Sequence, residues 1–139
     1  MTRMIRFHET GGPEKLLIEE LELGPPGPGH VCIRVEAVGL NRAEAMYRAG
    51  NYPVRPQLPS LIGYEGVGTI TALGEGVADY AMGQRVCILP MIQQGEYGIW
   101  AEEAIVPMRI LLPAPDFLSI EQAAAIWMQY FTAYALYEV

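Results

Sequence analysis

The sequence predicts a mainly β domain with short helices, and three observations carry that expectation. Eleven prolines and fifteen glycines are spread along 139 residues, dividing them into short apolar runs, a punctuation that suits turns and strands better than long helices. Several of those runs alternate in polarity or are rich in β-branched residues, as half-buried strands are. Only two stretches keep a helical period. A chain of this length buries roughly two-thirds of its unfolded surface on folding, so one domain can hold a real core.

In chain order, Met4–His8, Leu16–Leu23 and Val31–Val38 read as strands. Gly24–Gly29, GPPGPG, is a loop, because proline cannot serve a central strand. The period then changes. Asn41 is placed to N-cap a short helix, Glu44 completes a capping-box-like pair three residues on, and Gly50 supplies the stop. Pro53, Pro56 and Pro59 enforce an extended loop. Strand character resumes over Leu61–Leu73, Gln84–Leu89 and Trp100–Val106, with turns at Gly74–Gly76 and Met82–Gly83. Ser119 and Gln122 form a second capping box that opens a helical stretch over Ile120–Val139, with a break expected near Met128. Along it, Ala123, Ile126, Trp127, Tyr130, Phe131, Tyr134 and Tyr137 recur at helical spacing. That face is too apolar for a free-standing helix, so either a missing domain or a second copy of the chain, as in a homodimer, is expected to cover it.

Composition excludes several functions. Nine basic against sixteen acidic residues give a net charge of −7, which argues against nucleic acid or an anionic membrane surface as partner. The N-terminus lacks the apolar core of a secretion signal, and no run approaches the ~18 to 20 apolar residues of a membrane helix, so a cytoplasmic protein with no membrane partner is expected. Cys32 and Cys87 lie in separate apolar runs with no C-x-x-C pairing and read as buried strand thiols.

The strongest motif is Gly63-Tyr64-Glu65-Gly66-Val67-Gly68-Thr69-Ile70, followed by Gly74-Glu75-Gly76-Val77 and Gly83-Gln84-Arg85-Val86. Its glycines fall where strands kink, approach other backbone or turn through positive φ. It resembles the core signature of the medium-chain dehydrogenase/reductase superfamily, and the opening residues, GPGHVCIRVEAVGLN, GIWAEEAIVP and the terminal SIEQAAAIWMQYFTAYAL follow that family's order. The resemblance implies a GroES-like β-barrel ending in a helix that would lead into a missing Rossmann domain. On that basis residues 1–118 would be the catalytic domain and 119–139 a helical connector to an absent nucleotide-binding domain.

Zinc alcohol dehydrogenases resemble this chain but carry cysteine where Asn41 stands and histidine where Tyr64 stands, and neither replacement is a usual zinc ligand. The segment PMIQQGEYG is also too short, and too poor in cysteine, for their structural zinc lobe. The pattern instead resembles the zinc-free quinone oxidoreductase branch. That resemblance implies NADPH as cofactor, bound mostly by the missing domain. Asn41 and Thr132 would be the cofactor contacts, Tyr47 and Tyr52 the catalytic phenols, and Tyr64, Met91 and Ile92 part of the substrate pocket, which the whole loop Met91-Ile92-Gln93-Gln94 would shape.

A phenol suits the task, since hydride addition to a quinone or enone leaves an oxyanion that an O–H donor stabilises. Each residue also has a structural alternative. Asn41 suffices as a helix cap, Tyr47 and Tyr52 as packing, Tyr64 as filler for an absent metal site, Glu65 as a carboxylate paired with a base, and Thr132 as a helical hydroxyl bonded to its own backbone. No G-x-G-x-x-G follows a strand and opens a helix, so the phosphate-binding half of a dehydrogenase is absent from the sequence given. The expected function is therefore the catalytic-domain part of an NADPH-dependent oxidoreductase acting on a small conjugated carbonyl or quinone, inactive by itself. An enoyl-thioester reductase and a non-catalytic GroES-like binding module are the alternatives.

Overall fold

A computed structural model describes residues 1–90 and 93–137. Eight strands form two antiparallel sheets. The strands are β1 (Thr2–Phe7), β2 (Leu17–Leu21), β3 (His30–Gly39), β4 (Ser60–Leu61), β5 (Glu65–Leu73), β6 (Arg85–Ile88), β7 (Glu103–Pro107) and β8 (Leu111–Pro113). Among the described residues four α-helices accompany them: α1 (Arg42–Arg48), α2 (Gln94–Tyr97), α3 (Ile120–Ala125) and α4 (Trp127–Tyr137). The small sheet has the order β2-β1-β4 and the large one β7-β3-β5-β6-β8. Ile5 N–H donates to Trp100 O, and Glu102 N–H to Arg3 O. These bonds sew β1 to the chain entering β7, and so tie the two sheets into one barrel-like body.

The long strand β3 is the spine. It pairs with β5 on one side and β7 on the other, and its register shifts between Cys32 and Ile33 and between Val35 and Ala37. Such bulges increase twist and let a sheet curve. Val31, Ile33, Ile70, Val86, Ile88, Ile99, Val106 and Ile110 are buried inside the large sheet's curve. A second cluster, Phe7, Tyr47 and Ile62, joins α1 to the small sheet, with the Phe7 and Tyr47 rings edge to face at 5.8 Å. Cys32 and Cys87 are buried free thiols, as the sequence suggests, and burial pushes the Cys87 thiol up.

One strand departs from the sequence reading, and the break expected near Met128 is present. The expected strand Leu61–Leu73 is two strands in different sheets, β4 and β5, because the chain turns at Gly63 with φ +113°. A side chain there would also strike Trp100, since a Cβ would lie 2.5 Å from its ring. Hydrophobic period reads burial along a run but does not say when the run changes sheet. The terminal helix breaks at Ile126, two residues before Met128, and the break leaves the first amides of α4 without partners in the chain's own helix. β8 and α2 are too short to leave a periodic signal.

Helix α1 forms where the capping pattern places it. Its Glu44 carboxylate accepts the Asn41 N–H at 2.6 Å, and Gly50, at φ +78°, ends it. The Ser119–Gln122 capping box is likewise present at α3. Ala123 and Ala124 of α3 pack against Val67 and Cys87 on the outside of the large sheet. No residue of α4 is buried, and Tyr130, Tyr134, Leu136 and Tyr137 are exposed.

Candidate functional site: a cleft floored by Gln94

A cleft of about 450 Å³ opens between α1, the proline-rich loop before β4 and α2. Its volume lies within the range of small-molecule sites. Tyr47 and Tyr64 form one wall, Val54, Leu58 and Pro59 another, and Gln94 and Gly95 the floor. Arg55 is exposed at the mouth and makes no ion pair among the described residues. A wider, shallower hollow of about 630 Å³, lined by Met4, Ile18, Val35, Leu40 and Trp100 among others, contains none of the sequence-predicted residues.

The predicted residues fall into two groups. Tyr47 and Tyr64 both face the cleft, and Tyr52 packs behind Tyr64 with ring centroids 6.3 Å apart. The Tyr47 hydroxyl lies 2.9 Å from Ser60 Oγ, and Ser60 itself donates to Leu61 O at 2.9 Å. With the serine proton committed, Tyr47 is the donor of the pair, so its proton is held by Ser60 and its lone pairs remain free. Gly95 permits this approach, because a Cβ there would lie 2.4 Å from the Tyr47 hydroxyl. Burial pushes the Tyr64 phenol well above its ordinary range, and the adjacent Tyr52 adds to the rise while the Gln94 amide opposes it. Tyr64 is therefore a protonated O–H at neutral pH. Met91 and Ile92 lie outside the described residues.

Asn41 and Thr132 are elsewhere, on the side of Glu65 and α4. The Asn41 amide Nδ2 donates to Glu65 Oε1 at 2.9 Å. Thr132 is exposed and donates to Met128 O at 2.7 Å, the bond of an ordinary helical threonine.

Glu65 is fully buried but faces no base, contrary to the pairing expected of it. Its Oε2 accepts the Trp127 and Met128 amides, both at 2.9 Å, and so caps α4 directly after the break. An anion at a helix N-terminus meets both free N–H groups and the positive end of the dipole. Gly39 leaves the room, since a Cβ there would lie 2.6 Å from the Glu65 side chain. The second buried carboxylate, Glu44, accepts the Tyr64 N–H at 3.3 Å as well as the Asn41 N–H. Its pKa is raised, first by burial, with Glu65 adding to the effect.

Gln94 belongs to the loop that the sequence offers as shaping the pocket, and it does line the cleft, but nothing in the sequence marks its amide as buried. Its side chain is fully buried, and Oε1 accepts the Gly63 N–H at 3.3 Å. That bond fixes which end of the amide is oxygen. Nε2 is then left with no hydrogen-bond partner, an omission that ordinarily costs about 1–3 kcal/mol.

Among the described residues no three His, Cys, Asp or Glu side chains cluster as metal ligands would. Among the same residues no helix is long and apolar enough to cross a membrane.

A bulged antiparallel barrel with peripheral helices is the architecture of the GroES-like class of domain. Residues 27–116 match the alcohol dehydrogenase GroES-like domain, and the chain belongs to that family, in the quinone oxidoreductase-like branch of the medium-chain dehydrogenases/reductases. It is 41% identical over 126 residues to the synaptic vesicle membrane protein VAT-1 homolog of Rattus norvegicus, covering 89% of this chain and 30% of that protein. A quinone oxidoreductase structure from Pseudomonas syringae superposes with a TM-score of 0.87 at 38% identity, over 98% of this chain and 40% of that one. The Escherichia coli quinone oxidoreductase in complex with NADPH gives 0.82 at 30% identity, again over 98% and 40%. The chain thus spans about a third of the curated relative's length and two-fifths of the solved chains.

Proposed function

We propose that this chain forms the substrate side of an NADPH-dependent oxidoreductase that reduces quinones or other conjugated carbonyls without zinc. The single observation that carries the reading is the cleft, lined by the Tyr64 phenol, by Gln94 with its unpartnered N–H and by the apolar Val54, Leu58 and Pro59. The NADPH-bound Escherichia coli structure supports a nicotinamide as the hydride source. The zinc-free part of the reading is supported by the use of Asn41 to hold Glu65 and of Tyr64 to line the cleft.

The chain's own residues suit a nicotinamide in chemistry. Asn41 gives its amide to Glu65 and Thr132 gives its proton to Met128 O, so each has an acceptor oxygen for the N–H groups of a carboxamide. When bound, the nicotinamide supplies hydride. The chain orients the acceptor molecule between Tyr64 and the apolar wall. Addition at the conjugated carbon drives an electron pair onto the carbonyl oxygen, where fixed donors stabilise it.

The rat relative is named for a vesicle membrane; for this chain we retain a cytoplasmic location as part of the proposal, to be checked by cell fractionation. The deciding assay follows NADPH consumption by the full-length protein with 9,10-phenanthrenequinone, cyclohex-2-enone and crotonyl-CoA. Turnover of the first two with neglect of the thioester is expected. Preference for crotonyl-CoA would transfer the reading to an enoyl-thioester reductase, and no turnover of any of them would leave a binding module. The 139-residue chain alone is expected to show neither NADPH affinity nor turnover.

A further inference from the structure

We propose that Gln94 is a substrate-binding residue, whose Nε2–H donates to the carbonyl oxygen of the acceptor molecule. The inference deepens the function proposed above and rests on it for the class of ligand.

The position is built rather than incidental. Gln94 opens α2, and its side chain is fully enclosed, although the neighbouring Gln93 and Glu96 are exposed. One end of its amide is fixed by the Gly63 N–H. Gly63 can offer that N–H only because it turns at φ +113°, the same turn that separates β4 from β5. The amide is thereby fixed with its nitrogen, itself enclosed, on the side away from that bond, in a residue that lines the cleft. Buried donors are almost always paired, and here the donor is without a partner at the one place where a ligand would supply an acceptor.

The surroundings set the kind of acceptor. The Gln94 amide lies beside the Tyr64 hydroxyl and lowers its pKa, as an N–H turned towards the phenol oxygen would, although Nε2 reaches no partner at hydrogen-bonding geometry among the described residues. Tyr64 and Gln94 both line the cleft, and a carbonyl oxygen has two lone pairs to meet an O–H and an N–H donor. Val54, Leu58 and Pro59 offer the ligand's body an apolar wall. A small planar enone or quinone matches that combination; an amine or alkyl ammonium, which would bring donors to donors, does not. An amide also holds its donor at every pH, whereas a lysine in its place would bring a charge that this enclosed floor disfavours.

The test reads the bond without altering the protein. In the 15N-labelled chain, titration with cyclohex-2-enone should move the Gln94 side-chain amide resonance downfield and saturably. Gln94→Met, which keeps the volume and removes the donor, should weaken enone binding about tenfold, the factor of roughly one hydrogen bond, while the β5 resonances stay in place and report an intact barrel. In the full-length protein the same substitution should raise the KM for cyclohex-2-enone and leave that for NADPH unchanged. The proposal is overturned if the Gln94 resonance does not move while Tyr64 and Val54 respond, if no resonance responds, or if Q94M binds enone as the wild type does. Failure of the full-length protein to reduce any enone or quinone, with a positive titration, would remove the reductase reading and leave the carbonyl site standing.

Discussion

The barrel and its terminal helix are held by different means. Every strand of the large sheet contributes side chains to a closed core, and Ile33, Val86 and Ile88 are wholly inaccessible. Helix α4 buries no residue: Tyr130 and Tyr134 are each 65% exposed and Tyr137 is 92% exposed. What fixes α4 is its start, where Glu65 takes two amides and Trp127 packs near Ala123 and Cys87. Burial stabilises the first region and a single capped end the second. The two regions also divide the proposed work, with cleft donors on the barrel and Thr132 on α4.

Substitutions should separate the two. The largest effect is expected from Ile88→Ala, which opens a cavity in the large sheet's core and should lower the stability of the whole chain by about 2–5 kcal/mol in urea denaturation. If it cost no more than a surface change, the barrel would not be the cooperative unit.

Next comes Glu65→Gln. Whichever way the new amide is turned, its NH2 group faces a donor, either Asn41 Nδ2 or the α4 amides. A loss of about 1–3 kcal/mol is expected, with faster hydrogen exchange at Trp127 and Met128. Unchanged exchange there would show that α4 does not depend on this cap.

Glu44 gives a smaller, pH-dependent effect. Because burial raises its pKa, the folded chain keeps this proton at pH values where the unfolded chain, near the ordinary 4.5, has released it. Above 4.5 the folded state binds more protons, so stability falls as pH rises until the folded-state pKa is passed. Wild type should therefore lose ground against Glu44→Gln as pH rises from 4.5, in thermal melts run in parallel; a gap independent of pH would contradict the buried-carboxylate assignment.

The smallest effect is expected for Tyr134→Ser. On an exposed face it should change the chain's stability by no more than about 0.5 kcal/mol.

The same division governs what could be read from the sequence. Strands β1, β3 and β6 and the start of α1 were legible, because alternation and capping residues act over a few neighbouring positions. The split at Gly63 was not, since its cause is Trp100, distant in the chain. Glu65 was visible as a motif residue, but its partners lie 62 and 63 positions away, so a nearby base was the natural wrong expectation. Tyr47 and Tyr64 were found through resemblance and do share a cleft, whereas Asn41 and Thr132 lie outside it. Gln94 was legible only as part of a pocket-shaping loop. Its burial and the bond from the Gly63 N–H that fixes its amide, 31 positions away, leave no sequence signal.

The most direct test of the contrast is residue-resolved amide hydrogen exchange on the intact chain. If the barrel is one cooperative core with α4 held at its start, the amides of β3 and β5 should exchange only through global unfolding, while those of α4 beyond Met128 exchange orders of magnitude faster. Protection along all of α4 equal to that of β5 would contradict the account.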